Sequence, residues 1–267
     1  MKMQYLNAPQ DSLPALLSRL KIPAYPAVIG ISGAQGSGKS TLAALLVAHF
    51  CGLGIRAAAV SLDDYYVSGA QRAWLASTIH PLLRQRGVPG THDIQAAIKD
   101  AEAVLAGKPV ALPCFDKARD EPVAKRPLQQ LDLLVVEGWC LGLKPQNETE
   151  LAQPVNDVEK ELDPHCQLRL FVNQQLGAFY QDFWQLLTPM IWLQAPDWPQ
   201  ICRWRAQQEE ELRAKTGKGM NDTELQLFMA SFERLTCASF TQLASAADLQ
   251  LRLNDNHQVI AVTQRSA

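Results

Sequence analysis

The stretch VIGISGAQGSGKSTL, residues 28–42, decides how the rest of the chain is interpreted. Its first residues, Val28–Ile31, are apolar and predict a buried strand. A glycine-rich turn follows at Gly33–Gly38, and Lys39 then opens a segment whose apolar spacing is typical of a helix packed on a sheet. A strand, the pattern GxxxxGK[ST] and a helix in this order predict a phosphate-binding loop.

The residue types of this loop suit a polyphosphate. Glycines allow backbone N–H groups to turn toward an anion, and the helix that follows directs its positive end at the same place. We expect Lys39 to reach the outer phosphates and the Ser40 hydroxyl to bind magnesium. The alternative is a plain glycine-rich turn. The predicted site for magnesium ATP consists of Gly33, Ala34, Gln35, Gly36, Ser37, Gly38, Lys39, Ser40 and Thr41.

Composition bounds the class of protein. The 267 residues are 47% hydrophobic and 19% charged, as in a globular enzyme with a substantial core. A formal net charge of −2 offers no electrostatic argument for a nucleic-acid or membrane partner. The six cysteines lack metal-ligand spacing and are expected to be reduced thiols, and the sequence shows neither a signal-peptide core nor a membrane-length apolar run. We therefore expect a cytoplasmic protein.

Two further apolar segments end in carboxylates. Residues 56–62 indicate a buried strand that stops at Asp63 and Asp64, and residues 131–139 indicate another that carries Glu137. Since ligands bind at the carboxyl edge of parallel sheets, one aspartate is expected to accept the proton of an attacking hydroxyl. The other would cap a turn or help to hold magnesium, and Glu137 would bind the metal directly or through water. The alternatives are solvated turn aspartates and a generic strand-terminal acid.

Polar segments are predicted to face the acceptor on this edge. They are residues 67–127 and residues 143–166, which belong to the same domain as the loop. Residues 67–92 are predicted to be irregular, and residues 143–166 to form an exposed excursion. The charged loop at 117–126 forms either a solvated surface or a set of cations offered to an anionic acceptor.

Residues 197–235 predict two charged helices joined by a glycine turn. The segment carries Arg203, Arg205 and Lys218. One interpretation is a mobile lid that brings these cations onto the transferring phosphate, as lids of nucleotide kinases do. The other interpretation is a surface helical hairpin.

The remaining elements complete one domain that spans residues 1–267. Helices are predicted at 12–21, from an Asp93 cap to about Leu105, and at 168–187. Further strands are predicted in TPMIWLQA, LQLRLN and QVIAVT. The fold class is therefore α/β, with a mostly parallel sheet of about five strands flanked by helices.

Three motifs in this order resemble the uridine kinase, phosphoribulokinase and pantothenate kinase group of P-loop kinases. They are GISGAQGSGKST at 30–41, SLDDYY at 61–66 and VVEGW at 135–139. Four more stretches resemble the plant-type D-glycerate 3-kinase family and its fungal and bacterial relatives, over roughly residues 25–235. These are RGVPGTHD at 86–93, PCFDK at 113–117, EGWCLGLKP at 137–145, and RWRAQQE with GKGMND at 203–222.

The resemblance implies transfer of the ATP γ-phosphate to a hydroxyl of a small acceptor, D-glycerate first among the candidates. It implies Asp63 as general base, Glu137 as the acid after the third core strand, and lid roles for Arg203, Arg205 and Lys218. Bidentate arginine suits a carboxylate, which favours Arg86 and Arg119. The candidate acceptor-binding residues are Asp64, Tyr66, Arg86, His92, Lys117 and Arg119.

Other functions fit parts of the pattern. The acceptor would be a nucleoside, pantothenate or a sugar phosphate in the nearest alternative. A nucleotide-dependent switch or ATPase would transfer phosphate to water only, but the sequence has no NKxD guanine-reading motif. A non-catalytic nucleotide-binding module would not require Lys39, Asp63 and Glu137 together. The sequence leaves the oligomeric state open, including a homo-oligomer.

Overall fold

A computed structural model describes residues 24–217 and 219–265, together with Leu16, Leu20 and Ile22. The short helix predicted at 12–21 falls almost wholly outside these residues, and so does Lys218. In the described part of the chain, no helix is long and apolar enough to cross a membrane.

The elements follow the order expected for an α/β chain. The strands are β1 (Ala27–Gly33), β2 (Ala57–Ser61), β3 (Cys114–Asp116), β4 (Glu121–Val123), β5 (Leu133–Gly138), β6 (Met190–Gln194), β7 (Leu249–Leu253) and β8 (Val259–Gln264). The α-helices are α1 (Lys39–Gly52), α2 (Gly69–Thr78), α3 (Ile94–Leu105), α4 (Glu148–Ala152), α5 (Asp157–Leu162), α6 (Gln167–Gly177), α7 (Phe179–Leu186), α8 (Trp198–Thr216) and α9 (Asp222–Ala246). Short 3₁₀ turns occupy Leu62–Tyr65 and Pro81–Arg84.

Within the described residues, a six-stranded sheet has the order β2-β5-β1-β6-β7-β8, and β3 pairs with β4 in a separate hairpin. The first five strands of this order are parallel, and β8 is antiparallel at the edge. The predicted α/β class with about five parallel strands is confirmed. Hydrophobic clusters cover both faces of the sheet, as expected when crossover helices lie on each side.

The strand register assembles the functional edge. Ile31 of β1 pairs with Glu137 of β5, and Ser61 of β2 pairs with the same Glu137. The turn after β1, the end of β5 and the turn after β2 therefore meet at the carboxyl edge of the sheet. These three places carry the phosphate loop, Glu137 and Asp63. The sequence predicted that they share one edge of the sheet, and the register shows that their strands are neighbours.

Two segments differ from the sequence-based expectations. Residues 67–92 are not irregular, because α2 begins after Ser68, whose hydroxyl accepts the Gln71 N–H in a capping box. The helix predicted at 168–187 is two helices, α6 and α7, separated at Ala178.

The polar excursion at 143–166 contains α4 and α5 and buries charge. Glu159 and Asp163 are buried, and their carboxylates pair with Arg234 and Arg169. These two carboxylates are buried because cations from α6 and α9 meet them. Most other residues of the excursion are exposed, as predicted, and the buried pairs fix the segment against α6 and α9.

Candidate active site

The phosphate loop connects β1 to α1. Gly36 and Gly38 adopt positive φ angles of 78° and 91°, which side chains disfavour, so the turn depends on glycine. The Lys39 ammonium donates to the Ala34 carbonyl at 3.0 Å and lies beside the anion-binding turn. Burial lowers the pKa of Lys39, partly offset by the charges of Glu137 and Asp63.

A hydroxyl and a carboxylate form the predicted metal position. The Ser40 hydroxyl donates to Glu137 Oε1 at 2.7 Å, and Glu137 is buried at the end of β5. Both groups supply hard oxygen ligands, and Mg²⁺ is commonly held by one or two such groups together with substrate phosphates and water. No cluster of three or more His, Cys, Asp or Glu side chains suited to a metal occurs in the described residues. The residues present fit a magnesium ion that shares its ligands with a polyphosphate.

The neighbouring aspartates have different surroundings. Asp64 accepts from the Ser61 N–H at 3.1 Å, from the Phe115 N–H at 3.3 Å and from Arg126 at 3.3 Å. It thereby ties the β3–β4 hairpin to the end of β2, and it does not line the cleft beside the phosphate loop. Asp63 does line that cleft. The structure thus separates two carboxylates that the sequence left equivalent.

Asp63 has a partner at each oxygen. The Lys117 ammonium donates to Oδ2 at 2.6 Å, and the Tyr66 hydroxyl donates to Oδ1 at 2.8 Å. Burial raises the pKa of Asp63, but the charge and hydrogen bond of Lys117 and the Tyr66 hydroxyl outweigh it, so the net pKa lies below its ordinary value. Asp63 is therefore ionised at neutral pH.

A second cation stands on the same side of the cleft. Arg86 lines the cleft and pairs with Asp120, which also pairs with the fully buried Arg72. The Arg86 guanidinium lies 5.5 Å from the centre of the Phe115 ring. Asp120 engages one edge of the guanidinium, and Arg86 has further N–H donors for an anionic ligand.

Besides Asp64, two more predicted acceptor-binding residues lie outside the cleft. The side chain of Arg119 is 80% exposed, pairs with Asp116 and does not line the cleft, because it projects from the tip of the β3–β4 hairpin. His92 lies behind Tyr66, with its ring stacked on that residue at 4.6 Å, and its Nδ1 is 2.7 Å from the Tyr180 hydroxyl. Burial lowers the pKa of His92 to about 4, so His92 is neutral at pH 7 and supplies no positive charge.

The two arginines of the predicted lid also differ in position. Arg205 lines the cleft, pairs with Glu209 at 2.6 Å and lies 5.7 Å from the centre of the Phe228 ring. Arg203 donates to Gln200 at 2.8 Å and lines a separate groove between α8 and α9. The structure therefore brings one of these two arginines, not both, to the phosphate loop.

The cleft has a volume of about 510 Å³ and two kinds of wall. Its polar part holds the phosphate loop, Asp63, Lys117, Arg86 and Glu137. The apolar part of the cleft was not predicted from the sequence. The spacing of Phe228 and Phe232 along α9 is equally typical of side chains packed in the hydrophobic core. The residues that add to the apolar part are Trp139, Leu212, Phe228 and Phe232.

Residues 67–127 contribute Arg86 and Lys117 to the cleft. Residues 143–166, all of them described by the structure, do not line it. That segment packs on α9 instead, where the Arg234 guanidinium donates to the Glu150 and Gln153 carbonyls.

Comparisons with known proteins find kinases among the relatives of this chain, although no family model matches the sequence. The chain is 33% identical over 218 residues to "Uncharacterized kinase mug58" of Schizosaccharomyces pombe, covering 75% of this chain and 76% of the relative. It is 28% identical over 221 residues to the chloroplastic D-glycerate 3-kinase of Arabidopsis thaliana, covering 78% of this chain. That alignment spans 46% of the plant protein, about half its length.

A solved structure shares the fold. The D-glycerate 3-kinase from Cryptococcus neoformans superposes with a TM-score of 0.74 at 22% identity, covering 94% of this chain and 96% of the other. The parallel sheet, the phosphate loop and the strand-end carboxylates define a P-loop kinase, an ATP-dependent phosphotransferase that uses an alcohol acceptor. Within that class, the chain belongs to the family that contains mug58 and the plant-type D-glycerate 3-kinases.

Proposed function

We propose that this kinase transfers the γ-phosphoryl group of ATP to D-glycerate and forms 3-phosphoglycerate. The observation that carries the proposal is the arrangement around Asp63, an ionised carboxylate with Lys117 at 2.6 Å and Arg86 lining the same cleft. A base flanked by two cations suits a small acceptor that carries both a hydroxyl group and a carboxylate. The names of the Arabidopsis and Cryptococcus proteins support the same acceptor.

The donor side of the cleft fits magnesium ATP. Gly33–Thr41 would hold the phosphates through backbone N–H groups, and Ser40 and Glu137 would hold the ion. When bound, the ion supplies neutralisation of charge on the phosphate oxygens. Lys39 and Arg205 add positive charge from the loop and from α8.

The reaction is an in-line displacement at the γ-phosphorus. Asp63 accepts the proton of the acceptor hydroxyl as the hydroxyl oxygen forms its bond to phosphorus. The bond between the γ-phosphorus and its bridging oxygen breaks, and ADP leaves with that oxygen. Lys39 and Arg205 stabilise the charge on the transferring oxygens, which is the main contribution of a protein to such reactions.

The acceptor carboxylate is assigned to Arg86 and Lys117. A guanidinium offers paired N–H donors that match a carboxylate, and Asp120 holds Arg86 at the wall of the cleft. Lys117 is 62% exposed along its side chain and can move from Asp63 toward an incoming anion. Tyr66 donates to Asp63 and orients it. Asp64, Arg119, Arg203 and His92 have no place in this assignment, because none of them lines the cleft.

The test is ADP release from the purified protein with magnesium ATP, with and without D-glycerate. Uridine, pantothenate and ribulose 5-phosphate serve as competing acceptors in separate reactions. Stimulation by D-glycerate alone, with 3-phosphoglycerate as the product, is the expected result. Stimulation by another acceptor would overturn the carboxylate assignment while leaving the phosphate loop and Asp63 in place. A steady rate that no acceptor changes would favour an ATPase.

A further inference from the structure

The turn between β7 and β8 lies against the phosphate loop. Because β7 runs parallel to β1 in the sheet, its carboxyl end lies on the ligand-binding edge. The tight turn at 254–258 therefore reaches the loop, and the His257 side chain is buried there. None of the motifs that identify the family includes this turn.

His257 makes a direct hydrogen bond to the loop. Its Nε2 atom lies 2.8 Å from the Gly36 carbonyl oxygen. A carbonyl only accepts, so Nε2 carries the hydrogen in this contact. Since a trans peptide is planar, the bond also fixes the Ser37 N–H, which donates to the Ala34 carbonyl at 3.2 Å across the loop.

The same imidazole packs on α8. Its ring stacks on the Trp204 indole with 4.1 Å between centres and 24° between planes, and Trp204 Nε1 donates to the Asp255 carbonyl at 2.8 Å. A methyl group added to Gly36 would come within 2.9 Å of Trp204 Cβ. The glycine, the indole and the imidazole thus form one close-packed layer beneath the outer part of the loop.

The turn presents this imidazole in a fixed orientation. His257 has a φ of 61°, the left-handed region that few residues other than glycine adopt. Asn254 supports it: its carbonyl accepts the His257 N–H at 3.0 Å, and its Oδ1 accepts the Asn256 and Gln258 N–H groups at 3.0 and 2.9 Å. A backbone held in a sparsely populated region by several hydrogen bonds often marks a functional position.

We propose that His257 is a positioning residue for nucleotide binding: it holds the Gly36 peptide so that the phosphate loop is formed before ATP arrives. The imidazole touches no reacting atom in this role. It lowers the free energy needed to order the loop on binding, and this free energy would otherwise weaken the affinity for ATP. The proposal concerns the ATP half of the cleft and is independent of the acceptor.

Two substitutions separate the hydrogen bond from the packing. In His257→Gln the amide supplies an N–H donor near the position of Nε2, and in His257→Phe a ring remains without a donor. For His257→Phe we expect the Kd and the KM for magnesium ATP to rise about three- to tenfold, the effect of one hydrogen bond. For His257→Gln we expect values within about twofold of wild type. The acceptor KM should stay within about twofold in both variants.

The exposed neighbour Asn256 provides the matched control. Asn256→Ala changes the same turn without removing the contact to Gly36 and should leave the ATP affinity unchanged. Melting temperatures are measured alongside, because a purely structural role would lower them without changing the ATP affinity of the folded protein. Wild-type ATP affinity in His257→Phe, or equal losses in the Phe and Gln variants, would overturn the proposal.

A second measurement does not require any variant to fold. The ¹⁵N chemical shifts of the wild-type imidazole report which ring nitrogen carries the hydrogen. The proposal requires the tautomer with hydrogen on Nε2. A neutral ring with hydrogen on Nδ1 would exclude the bond to Gly36 and contradict it.

Discussion

The Lys117 ammonium lies 2.6 Å from Oδ2 of Asp63, and it reaches that position from 54 residues further along the chain. The β3–β4 hairpin places it there, because Asp64 fixes the hairpin backbone through the Phe115 N–H. The proposed base, Asp63, is thus paired with an exposed lysine that can move away from it and bind an anionic acceptor.

Replacing Asp63 by asparagine should abolish most of the turnover. The amide keeps the shape of the side chain but cannot accept the proton, so we expect kcat to fall by about 10²–10⁴. The Kd for ATP, measured by calorimetry, should change by less than about twofold, because Asp63 lies on the acceptor side. Near-normal kcat in Asp63→Asn would remove this residue from the reaction.

Replacing Lys117 by methionine should change the pH profile. Lys117 lowers the pKa of Asp63 while burial raises it, so its loss leaves the burial effect and the pKa rises. Activity disappears as pH falls through this pKa, and the acid limb of kcat/KM should therefore move to higher pH. The exposed Lys125 of the same loop gives the control variant Lys125→Met. An acid limb that is identical in the two variants would contradict the assigned pairing.

Two arginines of the acceptor region can be compared directly. Arg86→Met should raise the KM for D-glycerate about tenfold or more, because a charge-assisted pair with the carboxylate is lost. Arg119→Met removes an equal charge from an exposed position outside the cleft and should leave KM unchanged. Steady-state kinetics at saturating ATP measure both. If Arg119→Met had the larger effect, the carboxylate site would lie on the hairpin tip.

Arg203 and Arg205, the two arginines of the predicted lid, form a second matched pair. Arg205→Ala should lower kcat about 10- to 100-fold, since its guanidinium faces the phosphate loop from α8. Arg203→Ala should have a small effect, because Arg203 binds Gln200 on another face of the helix. Single-turnover rates with magnesium ATP distinguish loss of chemistry from loss of nucleotide affinity. Equal losses of kcat in both variants would mean that α8 changes its position before phosphoryl transfer, so that Arg203 also acts on the phosphate.

Stability depends on a buried ion pair distant from the cleft. Arg234 of α9 donates to both carboxylate oxygens of Glu159, at 2.8 and 2.6 Å. Arg234→Ala leaves the buried Glu159 carboxylate with the more distant Arg169 guanidinium, at 3.6 Å, as its remaining cation, and should reduce the free energy of unfolding by about 3 kcal/mol. Urea denaturation measures the change, with the exposed Arg119→Ala expected within about 0.5 kcal/mol of wild type. A loss below about 1 kcal/mol for Arg234→Ala would show that the pair is dispensable.

Local patterns predicted the parts of the site that lie next to strands. The phosphate loop, Asp63 and Glu137 each follow an apolar strand, and parallel strands bring their carboxyl ends together. Periodicity could not decide between Arg203 and Arg205, which lie about 200° apart around a helix, because the direction of the cleft is a tertiary property.

Contacts between distant segments decide the positions that local patterns could not predict. Arg119 and His92 carry suitable chemistry, but the hairpin exposes the first and Tyr66 covers the second. Residues 143–166 are mostly exposed, as their polar composition and prolines predicted, but Glu159 and Asp163 are buried because their cationic partners lie on α6 and α9. His257 lies in a turn without a recognisable motif, so the sequence offered no signal for it.

The hydrogen bond between His257 and Gly36 joins residues 221 positions apart. Contacts between such distant residues form late, because the intervening chain must first be ordered. A growing chain that stops before β7 carries the entire phosphate-binding motif but lacks the turn that supports it. Under the role proposed for His257, ATP affinity reaches its full value only when the last strands dock, so a rise of about three- to tenfold in nucleotide affinity during refolding would accompany completion of the sheet.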